Sequence, residues 1–271
     1  MAKLTLGIIG CGNMGGAIAH GVLASEKLRA ALDVAAYDVT DTAREKLEIA
    51  GGRWYADPTA LAAASDLVLL AVKPYQVRDL VASLRPSLTQ DKTLLSIAAG
   101  QPLSALRQAL SGACAAVQVM PNTPAMIGDG VFGVCLDDPA LAPGRADLVR
   151  EIFGELGAVF ILPEDKMNAL MAVTGCGPAY VFTMMDAVME AAVTLGFTRP
   201  DATAMTASLF KGSARMVQET QLSPNTLHGQ VTSPGGMTIA GTNHLARTAL
   251  RGHIIDAILA ANARGKEMEK E

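Results

Sequence analysis

The stretch LTLGIIGCGNMG at residues 4–15 decides the fold. Leu4–Ile9 is a short apolar run, too short for a helix and right for a buried strand, and it stops at Gly10. Gly10, Gly12 and Gly15 then stand in the spacing G-x-G-x-x-G, and from Met14 to Leu28 the apolar residues take up helical spacing. Strand, glycine turn and helix in that order make the opening unit of a dinucleotide-binding sheet. The glycines permit a tight turn and close backbone approach, and the helix start offers unpaired N–H groups and a positive dipole end to a pyrophosphate. The spacing alone is a weak signal; the strand before it and the helix after it give it weight. Gly10, Cys11, Gly12, Asn13, Met14 and Gly15 are therefore expected to hold a dinucleotide, against the alternative of a glycine-rich turn with no ligand.

Working outward, the alternation repeats. Apolar runs at Val34–Tyr37, Leu67–Val72, Thr93–Ala98, Ala115–Met120, Val131–Cys135 and Val159–Ile161 read as strands. Helix-like spacing occupies Thr42–Ala50, Tyr75–Leu84, Leu103–Leu110 and Arg145–Leu156. Leu67–Val72 is apolar on both faces, as a strand inside a parallel sheet must be. The pattern predicts a doubly wound, mostly parallel α/β sheet, with the 131–135 strand, which follows no helix, antiparallel. After Leu162 no strand is expected, only Ala- and Met-rich helices at 165–195, 201–220 and 237–267, with a break at Gly175–Pro178. That places a boundary at residue 162, between a sheet domain at 1–162 and an all-helical domain at 163–271. The helices carry more apolar surface than so small a domain hides alone, so a subunit interface is expected to cover it.

Bulk properties narrow the class. The 271 residues are 50% hydrophobic and only 4% aromatic, which suits helices packed on parallel strands. The net charge is −4 and the only charged run is a mixed tail of Lys266, Glu267, Glu269, Lys270 and Glu271, read as a solvated helix end, so no nucleic-acid partner is expected. Cys11, Cys114, Cys135 and Cys176 are far apart and form no C-x-x-C pair, which disfavours disulfides and metal ligation and fits a reducing cytoplasm. The first residues lack the features of a secretion signal. Met167–Met185 is uncharged, but Gly175, Gly177 and Pro178 interrupt it, so a buried helix with an internal break is expected and no membrane span.

Other strand ends add candidates to the same rim. Asp38 closes the second strand, where a carboxylate can accept from a ribose 2′-hydroxyl; it could equally cap the turn, as Asp41 or Thr42 could, and Arg44 could reach a 2′-phosphate. Ala71, Val72, Lys73 and Pro74 follow the third long strand, with Pro74 suited to a first helical position. Ala98, Ala99 and Gly100 end the next with small residues that let a flat ring lie close, or form an ordinary turn.

These residues, together with MPNTPA at 120–125, TGCGPAY at 174–180 and VTSPGGMTI at 231–239, resemble the pyrroline-5-carboxylate reductase family in collinear order along almost the whole chain. The resemblance implies a Rossmann-type domain followed by an all-α dimerisation domain. It further implies a homodimer with interlocked C-terminal helices that can build into a larger ring, and reduction of the cyclic imine 1-pyrroline-5-carboxylate to L-proline by NADPH or NADH. It places the substrate at Ser233, Pro234, Gly235, Gly236, Met237 and Thr238. The residues themselves suit that role. Ser233 reads as an N-cap and Pro234 as the first helical residue, Gly235 and Gly236 leave amides unshielded for a carboxylate, and the Thr238 hydroxyl could meet the ring nitrogen or bond back to a carbonyl. Pro121 and Pro124 stiffen a loop that holds Asn122 and Thr123 toward the nicotinamide and substrate. No catalytic His or Lys constellation is expected, because a protonated imine is already electrophilic and needs orientation more than acid–base help. Asp57-Pro58, where the family often has Asn, and Leu245-Ala246-Arg247, where it often has an acidic residue, depart from the pattern. A β-hydroxyacid dehydrogenase or imine reductase would share the glycine turn, but Lys166 and Asn168 stand two residues apart and do not share a helix face as that chemistry would need.

Overall fold

The computed structural model describes residues 3–268. The chain opens with β1 (Leu4–Ile9), α1 (Asn13–Ala24), α2 (Glu26–Ala31) and β2 (Leu32–Tyr37). Next come α3 (Arg44–Ile49), β3 (Arg53–Trp54), α4 (Pro58–Ala63), β4 (Leu67–Leu70) and α5 (Pro74–Leu84). β5 (Thr93–Ser96), α6 (Leu103–Leu110), β6 (Ala115–Met120), β7 (Gly130–Cys135), α7 (Pro143–Gly154) and β8 (Gly157–Ile161) complete the sheet. Only helices follow among the described residues: α8 (Glu164–Leu170), α9 (Gly177–Thr194), α10 (Arg199–Thr220), α11 (Pro224–Val231), α12 (Met237–Arg247) and α13 (Leu250–Met268). Of the charged tail, Lys266 and Glu267 lie in α13, while Glu269, Lys270 and Glu271 lie outside the described residues.

The strands form one sheet in the order β3-β2-β1-β4-β5-β6-β7-β8, parallel throughout except between β6 and β7. The expected doubly wound, mostly parallel fold is thus present, with the antiparallel strand where it was anticipated. Its layering follows from strand alternation. Leu67 and Leu69 of β4 face one helical layer with α1 and α7, Val68 and Leu70 face the other with α5 and α6, and all four side chains are fully buried. Burial of each contributes about 1.5–3 kcal/mol.

Several elements differ from the sequence reading. The helix expected over 14–28 ends at Ala24 because Ser25 adopts an extended conformation and accepts the Leu28 N–H at 3.3 Å, capping α2 instead. The helix expected over 237–267 is two, divided at Ala249, whose φ is +55°. In the break expected at Gly175–Pro178, residues Met171–Gly175 widen into a π-turn, with Cys176 N–H bonded to the Met171 carbonyl at 2.9 Å. Asp57 caps α4 through Oδ2, which accepts the Ala60 N–H at 2.7 Å, with Pro58 in the first helical position.

Strands give way to helices after Ile161, but the described residues divide into compact units later, into 3–176 with 262–268 and into Gly177–Ala261. The end of α13 belongs with the first unit because Asn168 Nδ2 donates to both the carbonyl and Oδ1 of Asn262 at 2.9 Å, and Gly265 sits where a Cβ would strike the Asn168 side chain. The second unit has almost no interior of its own. Only Ala202 and Thr206 are buried among its described residues, while Phe182, Leu195, Phe197, Leu209 and Leu259 are exposed by half or more. No helix among the described residues is long and apolar enough to cross a membrane.

Candidate active site

The carboxyl ends of β1, β2, β4, β5 and β6 open into a cleft of about 560 Å³, beside the point where strand order reverses between β1 and β4. Such a switch point leaves a crevice because neighbouring connections depart to opposite faces of the sheet. Of the residues singled out from the sequence, Gly10, Gly12, Asn13, Met14, Asp38, Ala71, Val72, Lys73, Ala98, Ala99, Pro121, Asn122 and Thr123 line it.

The three glycines are required for three different reasons. Gly10 has φ of +100°, and a Cβ there would also lie 2.6 Å from the Ala71 carbonyl oxygen. A Cβ on Gly15 would overlap the Gly10 carbonyl oxygen and come within 2.9 Å of Ala71 Cβ, so α1 could not pack against the end of β1. Gly12 meets nothing within 4 Å: its missing side chain leaves room in the cleft itself, above the first turn of α1. A glycine that neither φ nor the fold demands, at a helix start with unspent N–H groups, fits a pyrophosphate.

Around this turn the cleft is wired together. The Gly10 N–H donates to the Tyr37 carbonyl at 2.8 Å, and the Cys11 N–H donates to Asp38 Oδ2 at 2.6 Å. Asp38 Oδ1 accepts the Thr40 N–H at 3.1 Å, so the carboxylate spans two backbone segments. Cys11 does not line the cleft; its thiol is buried beneath the turn and its pKa is pushed up to about 12, first by burial and then by the Asp38 charge. It is therefore a neutral packing group. Lys73 N–H donates to Gln76 Oε1 at 3.1 Å, and Pro74 starts α5 rather than facing the cleft. Gly15 and Gly100 also lie off the cleft wall, Gly15 beneath Gly10 and Gly100 in a turn with φ of +68°.

Asn122 is buried and its amide is spent on the backbone. Its Oδ1 accepts the Val131 N–H at 2.8 Å and its Nδ2 donates to the Thr174 carbonyl at 3.1 Å. Gly175 of the π-turn joins the cleft lining next to it. Met120, the first residue of the 120–125 segment, also lines the cleft, as do Ile9, Tyr37, Val39, Gln76 and Ile97, which were not singled out from the sequence. All but Gln76 sit one residue from a singled-out position at a strand end, which is the signal that could have found them.

The segment 233–238 lies in the second unit and differs locally from expectation. Ser233 is not the N-cap of a helix that begins at Pro234. Residues Ser233–Gly236 form a turn, with Gly236 N–H bonded to the Ser233 carbonyl at 3.1 Å, Pro234 second and Gly235 third at φ of +67°. Proline and a positive-φ glycine favour that turn over helical continuation. Gly236 is the N-cap, and α12 starts at Met237. Amides left without intrahelical acceptors are thus those of Met237, Thr238 and Ile239. Several threonines in these helices bond back to carbonyls three or four residues earlier, as Thr183, Thr194, Thr203, Thr220, Thr232, Thr242 and Thr248 do, whereas Thr206 Oγ1 is buried without a partner among the described residues and Thr226 pairs with Ser223. Thr238, the second residue of α12, has no preceding helical turn to bond to, and its hydroxyl stays unspent among the described residues. Lys166 is exposed and Asn168 is occupied with Asn262, so neither takes part in the cleft.

Residues 164–268 match the family model for pyrroline-5-carboxylate reductase dimerisation, and residues 5–100 match the model for NADP oxidoreductase, coenzyme F420-dependent. The pyrroline-5-carboxylate reductase of Methanosarcina acetivorans is 32% identical over 100% of both chains. Among solved structures, a pyrroline-5-carboxylate reductase from Coxiella burnetii is 31% identical, covers 100% of both chains and superposes with a TM-score of 0.92. The pyrroline carboxylate reductase of Plasmodium falciparum, solved with NADP bound, is 27% identical, covers 99% of each chain and has a TM-score of 0.86.

Proposed function

This chain belongs to the pyrroline-5-carboxylate reductase family, and on that premise we propose how its residues divide the work of reducing 1-pyrroline-5-carboxylate to L-proline with NAD(P)H. Residues 1–162 form the coenzyme-binding part, with Gly10 to Gly15, Asp38, the Ala71–Lys73 strand end, Ala98–Ala99 and Pro121–Asn122 around the dinucleotide. Residues 163–271 form the dimerisation and substrate-binding part. The apolar helices of a unit with almost no interior of its own support a homodimer; we further propose a larger ring of such dimers and a place of work in the cytoplasm.

When bound, the reduced nicotinamide coenzyme supplies the hydride. The chain's own task is to bind and orient. The open first turn of α12 holds the substrate carboxylate through the Met237, Thr238 and Ile239 amides and the positive end of its dipole. The Thr238 hydroxyl meets the ring nitrogen and fixes which face of the C=N bond is presented. Ser233–Gly236 shape the turn that keeps those amides uncovered, and Pro121 and Asn122 hold the loop on the coenzyme side.

The unspent hydroxyl of Thr238 carries this reading. The test is steady-state kinetics with 1-pyrroline-5-carboxylate alongside coenzyme titration. Thr238→Val is expected to lower kcat/KM by about tenfold or more, the loss of one good hydrogen bond, with coenzyme Kd unchanged. Wild-type kinetics in Thr238→Val would remove Thr238 from the site, and turnover of 3-hydroxyacids alone would reject the substrate.

A further inference from the structure

The carboxylate at the end of β2 is held in a way that the binding of a dinucleotide does not by itself require. Asp38 lines the cleft, yet both of its oxygens are engaged by backbone: Oδ2 by the Cys11 N–H at 2.6 Å and Oδ1 by the Thr40 N–H at 3.1 Å, with the Thr40 hydroxyl at 3.4 Å. A carboxylate can accept more than one hydrogen bond per oxygen, so lone pairs remain for a ligand hydroxyl. What it cannot do is turn away. Rotation would strip the acceptor from an amide of the glycine turn itself, leaving a part-buried N–H unsatisfied.

We propose that Asp38, pinned to the Cys11 amide, makes this chain select a coenzyme whose adenosine ribose bears a free 2′-hydroxyl over one bearing a 2′-phosphate, that is, NADH over NADPH. The inference rests on the coenzyme cleft assigned above. A 2′-hydroxyl donates to a carboxylate; a 2′-phosphate brings a second anion against a fixed one. Apart from Asp38, the only charged side chain lining the cleft among the described residues is Lys73, which follows β4 rather than standing in the turn after β2. The first cation after β2 in the sequence is Arg44, which opens α3, and its Nε is bonded to Glu48 Oε1 at 3.0 Å. That exposed pair is cheap to break, so Arg44 is the residue by which the molecule could escape this conclusion, and the experiment addresses it directly.

The measurement is equilibrium titration of the purified full chain with NADH and with NADPH, read by dihydronicotinamide fluorescence, for the wild type, Asp38→Asn and Arg44→Ala. In the wild type NADPH should bind at least about tenfold more weakly than NADH. Asp38→Asn keeps an oxygen for the Cys11 amide while removing the charge, and should narrow that ratio by about tenfold, mainly by strengthening NADPH. Arg44→Ala should leave the ratio unchanged. Wild-type NADPH binding as tight as NADH, a ratio insensitive to Asp38→Asn, or loss of NADPH binding in Arg44→Ala would each overturn the proposal while leaving the cleft assignment standing. Failure of both coenzymes to bind would instead overturn the cleft assignment and the proposal with it.

Discussion

Asn122 joins the end of β6 to Thr174 across 52 residues of sequence, its Nδ2 donating to the Thr174 carbonyl at 3.1 Å. The bond answers a specific deficit. In a continuing α-helix that carbonyl would accept the N–H of residue 178, but residue 178 is proline and has none. On its other side Asn122 Oδ1 takes the Val131 N–H at 2.8 Å, two residues before β7 begins to pair with β6 at Gly133. One amide therefore closes two gaps left where regular structure stops. Removing it in Asn122→Ala orphans both backbone groups, and should destabilise the protein by about 2–4 kcal/mol, as judged by the midpoint of denaturant unfolding at unchanged slope. A loss below about 0.5 kcal/mol would mean that neither bond matters to the fold.

The glycine turn separates a folding requirement from a binding one. Gly15→Ala places a methyl on the Gly10 carbonyl oxygen, so backbone must move, and the variant should unfold at clearly lower denaturant than the wild type. A Cβ at Gly12 meets no protein atom within 4 Å, so Gly12→Val should keep the wild-type unfolding midpoint within about 1 kcal/mol, while NAD(P)H titration shows no binding. Equal loss of stability in both would refute the distinction, and normal coenzyme binding by Gly12→Val would show that the open space above α1 is not where the pyrophosphate lies.

The contrast between the two variants mirrors what could be read from residue order alone. The sheet, its one antiparallel strand and the rim of the cleft were legible because Leu4–Ile9, Leu67–Val72 and their relatives are short, largely apolar runs that stop at glycine or a polar residue. The same reading set the helix start at 237, where α12 begins, but mistook Ser233 for its N-cap. Ser233-Pro234 has the look of a capped helix start, but Gly235 at positive φ closes a turn first, and only backbone geometry tells the two apart. The two-residue strand β3 escaped notice because Arg53 and Trp54 carry no alternation of their own. Nor does sequence disclose how a side chain is employed. Asp38 was read as a ligand for ribose or a turn cap, and its bond to Cys11, 27 residues earlier, was in neither reading.

The cysteine in the glycine turn should be inert despite standing beside the cleft. Its thiol pKa lies at about 12, raised by burial and by Asp38, so the neutral form is favoured at every pH below that value and the thiolate appears only above it. At pH 8 iodoacetamide should therefore label Cys11 at least about a hundredfold more slowly than an unperturbed thiol, located by peptide mass mapping after quenching. Labelling should also be no slower with coenzyme bound, since there is no reactive population for the ligand to protect. Rapid labelling at pH 8 that coenzyme suppresses would show a thiolate in the turn and contradict the burial that holds Cys11 neutral.

Ala249, between α12 and α13, has φ of +55°, a conformation that costs a residue with a Cβ about 1–2 kcal/mol and costs glycine almost nothing. Nothing about alanine advertises such a bend, which is why the sequence reads as one helix across 237–267. The strain predicts an ordered series at this one position. Ala249→Gly relieves it, offset in part by the greater freedom of glycine in the unfolded chain, and should raise the thermal midpoint by roughly 1–3 °C. Ala249→Val adds a branched side chain to the same backbone and should lower the midpoint by more than glycine raises it. A calorimetric scan of the three proteins decides the matter: if valine equals or exceeds alanine, the left-handed bend is not present in solution, and α12 and α13 run on as the single helix that the sequence alone suggests.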